Sequence, residues 1–194
     1  MIFFETILGL TFVYNLRDLP HKIRQGGLDL ILSKPINSQF AVSLWRPYFA
    51  MLPSILVGII TVYIGFRDGG MILNPLMLLP FVFLFVCGIV MAYSFGMVVS
   101  TLTMWLISAG RLPDFAEQLL SMARNPYSFF TGVWRIIFLT VLPISFMVSF
   151  PAQALMNDLS LWWFPSAFIL AALFLVFSNV FWKFALRKYS SASS

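Results

Sequence analysis

From Met71 to Ser108 the sequence carries no charged residue. Drawn as one straight helix this run would be about 55 Å long. The hydrocarbon core of a bilayer is only about 30 Å thick. No water-covered globule accommodates so long an uncharged run, and four more apolar runs accompany it. They extend from Ile2 to Leu16, Ala41 to Phe66, Ile136 to Asn157 and Leu159 to Trp182. Hydrophobic residues make up 60% of the chain and charged residues 10%. A soluble domain carries about 25% charged residues, and disorder requires low hydrophobicity, so both classes are excluded. A single Cys removes any disulfide framework or multi-cysteine metal site.

In hydrocarbon every backbone polar group must be satisfied within the structure, and a helix does this inside one segment. Barrel strands would show short alternating stretches, whereas these runs are continuous. The expected fold is therefore all-α: a polytopic membrane protein of about five transmembrane helices, forming a single transmembrane domain over residues 1–194. Pro75 and Pro80 predict an irregular start to the third run, followed by a long helix emerging near Trp105. Pro143 and Pro151 leave two readings of the fourth, a kinked crossing or a crossing followed by a short re-entrant piece.

Basic residues orient the spans, because short cytoplasmic loops retain them. Placing residues 17–46 (the loop proper at 17–40 and the start of the next run), 108–135 and 183–194 inside collects eleven of the 12 Lys and Arg on one side and leaves only Arg67 outside. The N-terminus is then outside and the C-terminus inside, in a multi-pass protein of the plasma (inner) membrane. Trp45, Trp105, Trp134 and Trp182 fall at inner span ends, and Trp162 and Trp163 at an outer one, as an interfacial belt requires. The net charge of +5 reads as topology, with no nucleic-acid partner. A short, Glu5-bearing first segment that starts outside suggests either a start further upstream or a lost first span.

The loop RDLPHKIRQGGLDLILSKPINSQ, from Arg17 to Gln39, is the most informative stretch. Pro20 precedes a short amphipathic segment, Gly26 and Gly27 permit a bend, and Pro35 closes it. Ile23, Leu30 and Ile31 are expected on an apolar face, with Lys22, Arg24 and Asp29 towards water. Such a segment either lies on the headgroups or docks a soluble partner. In the third run Gly88, Ala92, Gly96 and Ser100 recur every four residues, a small-residue stripe for packing within the subunit or at a subunit interface.

Reactive groups are sparse. His21 is a solvated loop residue, Cys87 a small hydrophobe, and Glu5 is placed at an exposed outer end. No residues here are arranged as catalytic or metal ligands, and no phosphate-cradling loop is present, so the chain is read as a non-enzyme without a cofactor of its own.

The stretch HKIRQGGLDLILSKPIN resembles the loop of ABC-2-type exporter permeases, in which I-R-x-G-x-L-D-x-x-L-x-[KR]-P-[IV]-N follows a span. Ile23, Arg24, Gly26, Leu28, Asp29, Leu32, Lys34, Pro35 and Asn37 match it. Asn125-Pro126-Tyr127 with VLPISFMVSFPAQAL, and the ending FWKFALRKYSSASS, are similar to later parts of the same family. The resemblance implies the transmembrane permease subunit of an ATP-driven exporter. Ile23, Arg24, Gly26, Gly27, Leu28, Asp29, Lys34 and Pro35 would form its coupling helix, seated on a separate ABC ATPase subunit that holds the ATP. A second permease subunit, identical or related, would complete the transporter within the lipid bilayer. The family has six spans with both ends inside, so this chain departs from it by one. The rival expectations are a non-transporting membrane scaffold or assembly protein and, less well served by the residues, a lipid-modifying enzyme marked by a membrane-depth carboxylate pair.

Overall fold

In the computed structural model of the chain, residues 2–44, 46–68, 76, 78–105, 112–121, 131–133, 145–156 and 159–189 are described. Every regular element among them is helical. Among the described residues two helices are long and apolar enough to cross a membrane, Leu78–Leu102 and Trp163–Lys188.

Helix α1 (Ile2–Leu8), a π-helical turn (Gly9–Val13) and α2 (Tyr14–Arg24) follow one another without a break. Together they form one rod of about 34 Å. Phe4, Leu8, Phe12, Leu16 and Leu19 recur at helical spacing and are all buried, so one stripe of the rod faces the core. The helix does not stop at the charge of Arg17, and the connection begins only at Gln25. Pro20, expected ahead of a helix, lies inside this one. It forfeits one backbone bond near a terminus, where only one further turn depends on it.

The second apolar run is divided. Helices α3 (Gly27–Leu32) and α4 (Ser38–Ser43) precede it or open it, and the chain then breaks before a 3-10 turn at Phe49–Met51. Pro47 explains the break, since the residue before a proline is pushed out of the helical region. Helix α5 (Leu52–Asp68) follows, with Pro53 in its first turn, where a missing N–H costs nothing. It lies on α1, and Gly58 lets the Phe3 side chain approach: a Cβ there would sit 3.3 Å from that side chain. Most of its large apolar residues, Leu56, Ile60 and Tyr63 among them, are exposed.

Helix α6 (Leu78–Leu102) is the axis of the molecule. The long helix expected of the third run is thus present, with Pro80 in its first turn and Trp105 just beyond its last, while Pro75 lies outside the described residues. Parallel to α6 runs the closing helix, Trp163–Lys188: Phe83 meets Phe164 where both begin, and Trp105 meets Phe181 and Phe184 where both end. Helix α7 (Leu112–Ser121) folds back along the first rod and α6, burying Pro113, Ala116 and Leu120. A second π-helical turn (Ser145–Ser149) leads into α8 (Phe150–Leu155). There Phe146, Phe150 and Trp163 form an aromatic cluster with centroids 4.7–5.9 Å apart, Phe146 edge-on to the other two rings. The closing helix is α9. Residues 136–144 with Pro143, Trp45 and Trp134 of the aromatic belt, and the Asn125–Tyr127 motif lie outside the described residues, as do Arg111, Arg124 and Arg135.

Candidate functional site

The segment between Arg24 and Ser43 is assembled from three local devices. First, α2 is terminated by Gly26, whose φ of 72° lies in the left-handed region that glycine enters without penalty. The amide of Gln25 donates to the His21 carbonyl at 3.1 Å, and that of Gly26 to Ile23 at 3.3 Å. Second, the short helix α3 is pinned by Leu28, which is fully buried. Third, Asn37 caps α4: its side-chain oxygen accepts from the Gln39 amide at 3.0 Å and the Phe40 amide at 3.3 Å.

Between these anchors the segment projects outward. Arg24, Gln25, Leu30, Lys34, Pro35, Ile36 and Phe40 are all exposed, Leu30 to 72% and Phe40 to 51%. Ile23, Gly26, Gly27, Asp29, Ile31 and Leu32 are half-buried, and Ile23, Ile31 and Leu32 pack on the core. The apolar face expected of Ile23, Leu30 and Ile31 is therefore split: only Leu30 is presented outward. The structure supplies Ile36 and Phe40 beside it in sequence, which amphipathic counting over 20–35 does not find.

Behind the projection, α4 is tied to two other helices by polar bonds that no local pattern announces. The Trp182 indole N–H donates to Ser38 Oγ at 3.0 Å, and Trp182 itself is buried. Gln39 Nε2 donates to Ser178 Oγ at 3.3 Å. Ser43 Oγ and the Tyr93 hydroxyl lie 3.0 Å apart. The single Ser43 proton goes to the Gln39 carbonyl at 2.7 Å, which makes Tyr93 the donor of that pair. Asn15 reaches from α2 to the carbonyl of Arg46 at 2.9 Å.

The small-residue stripe is buried throughout. A Cβ on Gly88 would stand 2.8 Å from the Met147 Cα and from the Phe146 carbonyl oxygen, so the backbone of the 145–149 turn crosses there. Gly96 admits Leu16, 3.2 Å from its would-be Cβ, and Ala92 and Ser100 are buried beside them on α6.

Glu5 does not occupy an exposed end. It is half-buried and lines a cavity of about 290 Å³ together with Thr6, Ser54, Glu117 and Ser121. Glu117 is already engaged by Arg17, whose Nη1 lies 3.1 Å from it while Nε lies 2.8 Å from Asp114. His21 is exposed, and Cys87 is buried in α6.

A family model described as ABC-2 family transporter protein matches residues 1–193. No curated protein and no solved structure matches the chain.

Proposed function

Since the chain belongs to the ABC-2 transporter family, a permease of ABC transport that works in a membrane beside an ABC ATPase, we propose that it is the membrane subunit of an exporter whose ATPase docks on residues 23–40. In this reading five spans cross the membrane, the N-terminus is outside and the C-terminus inside. ATP is bound and hydrolysed on the partner, and two permease subunits complete the path. The cations of the inner loops keep those loops in the cytoplasm, where the ATPase waits.

One observation carries the assignment: an exposed apolar projection, Leu30, Ile36 and Phe40, mounted on a base bonded to distant helices. Exposed apolar side chains at a solvated membrane edge are costly unless a partner covers them. Hydrogen bonds from the base to α6 and α9 make the projection stiff, so movement of a docked partner passes to the spans instead of being absorbed by a loop.

Leu30→Glu tests this directly. It leaves the buried anchor Leu28 in place and puts a charge on the docking face. The tagged wild-type chain is expected to bring an ATPase subunit out of solubilised membranes, and the variant to lose it while inserting normally. A wild-type membrane complex that contains no ATPase overturns the proposal.

A further inference from the structure

Beside the projection lies a second feature, which shares Gly27, Leu30, Ile31 and Lys34 with the docking segment. A cavity of about 230 Å³ is bounded by Asn15 and Lys22 of α2, Gly27, Leu30 and Ile31 of α3, Lys34, Ala41 of α4, and Arg46. Three cations thus converge on one cavity from three separate stretches of chain. Lys22 Nζ also lies 3.1 Å from the Asp18 carboxylate. Leu30, Ile31 and Ala41 make the aliphatic part of the wall.

The wall is built before any ligand arrives. Asn15 holds the Arg46 carbonyl at 2.9 Å, and the Tyr48 amide donates to the Leu10 carbonyl at 2.9 Å. The Tyr14 and Tyr48 rings pack with centroids 4.3 Å apart. Together these bonds fasten the turn at 46–48 onto the first rod, so Arg46 is held at the rim. Depth follows from the same residues. Tyrosines settle at the headgroup level, and immediately after Tyr48 the exposed side chains are Phe49 and Leu52, which suit hydrocarbon.

We infer that this cavity binds the headgroup of an anionic phospholipid of the inner leaflet. Cations alone would suit any anion, but cations over an aliphatic wall at headgroup depth suit an amphiphile with a phosphate head. The assignment to the inner leaflet rests on the topology proposed above. A lipid held there would bridge α2, α3 and the turn at 46–48.

Native mass spectrometry of the delipidated, detergent-solubilised complex, titrated with phosphatidylglycerol, phosphatidylcholine or inorganic phosphate, tests the inference. Phosphatidylglycerol is expected to be retained roughly tenfold better than phosphatidylcholine. The double variant Lys34→Ala/Arg46→Ala should lose that preference, and Lys34→Arg/Arg46→Lys should keep it. Lys34→Gln alone, at an exposed position, gives a partial loss should the double variant fail to fold. Equal retention of the two lipids overturns the site, and displacement of the lipid by inorganic phosphate overturns its assignment to a lipid. Unchanged lipid binding in a double variant that sheds its ATPase assigns these cations to the protein contact instead. ATPase co-purification with no lipid preference removes this inference alone and leaves the exporter reading standing.

Discussion

Helices α6 and α9 are the two elements, among the described residues, long and apolar enough to span a membrane, yet they are used differently. In the most apolar stretch of α6, 44% of residues are buried inside the molecule, against 17% for α9. Apolarity places both in hydrocarbon and does not choose between them, because lipid tails are as apolar as leucine. Side-chain size does. Helix α6 presents Gly88, Ala92, Gly96 and Ser100, which other backbones and side chains can approach on one face. Helix α9 has a narrower seam of Ala167, Ala171, Ser178 and Ala185, interrupted by Trp182, and covers the rest of its surface with Phe, Leu and Val. The first is a hub and the second a stave.

The sharpest break of that contrast is Gly88→Leu. Its side chain has no room where Met147 Cα already lies 2.8 Å from a Cβ. The expected cost exceeds about 3 kcal/mol, the upper end for overpacked cores. Fluorescence-detected gel filtration should show the monodisperse peak lost, and a well-folded variant would mean the 145–149 turn does not cross there. Next in size is Trp182→Ala on the exposed helix. Removing a buried ring and its bond to Ser38 is expected to cost about 3 kcal/mol, read as a lowered midpoint in detergent unfolding. A null effect would make α9 peripheral along its whole length. Ala171→Leu sharpens the same point: overpacking the seam should cost about 1–3 kcal/mol. Thermal shift of the same preparation checks it, since a position free to lipid would show no shift. Smallest of all is Phe177→Ala. Its ring is exposed and stacks on Phe181, 5.9 Å away, and the stability of the single chain should stay within about 0.5 kcal/mol.

How much of this was legible follows from spacing. The α6 stripe has a strict four-residue period and can be read by eye. The α9 seam cannot, because its steps alternate and a tryptophan stands in it. The helical class and the long α6 ending near Trp105 were visible in the sequence. Ile23 and Ile31 were misplaced for a specific reason. Gly26 turns the chain through left-handed geometry, so the 100° phase carried across it from α2 no longer applies in α3. The first helix was read too short because Arg17 looked like its end. Asp114 and Glu117, about a hundred residues away, receive that charge and let the helix continue. Gln39 with Ser178, and Ser38 with Trp182, are likewise invisible to any local pattern, since each partner alone reads as an ordinary polar residue or a belt aromatic.

The footing of α4 has a mechanical corollary. Ser38 is fastened to Trp182, Gln39 to Ser178 and Ser43 to Tyr93, so this six-residue helix cannot slide or tilt without dragging two long rods. Trp182 and Ser178 sit one turn apart on α9, and that closeness makes their end of the rod a fulcrum. A small thrust delivered to the early chain would therefore swing the far tip of its last helix, near Trp163, through the larger arc.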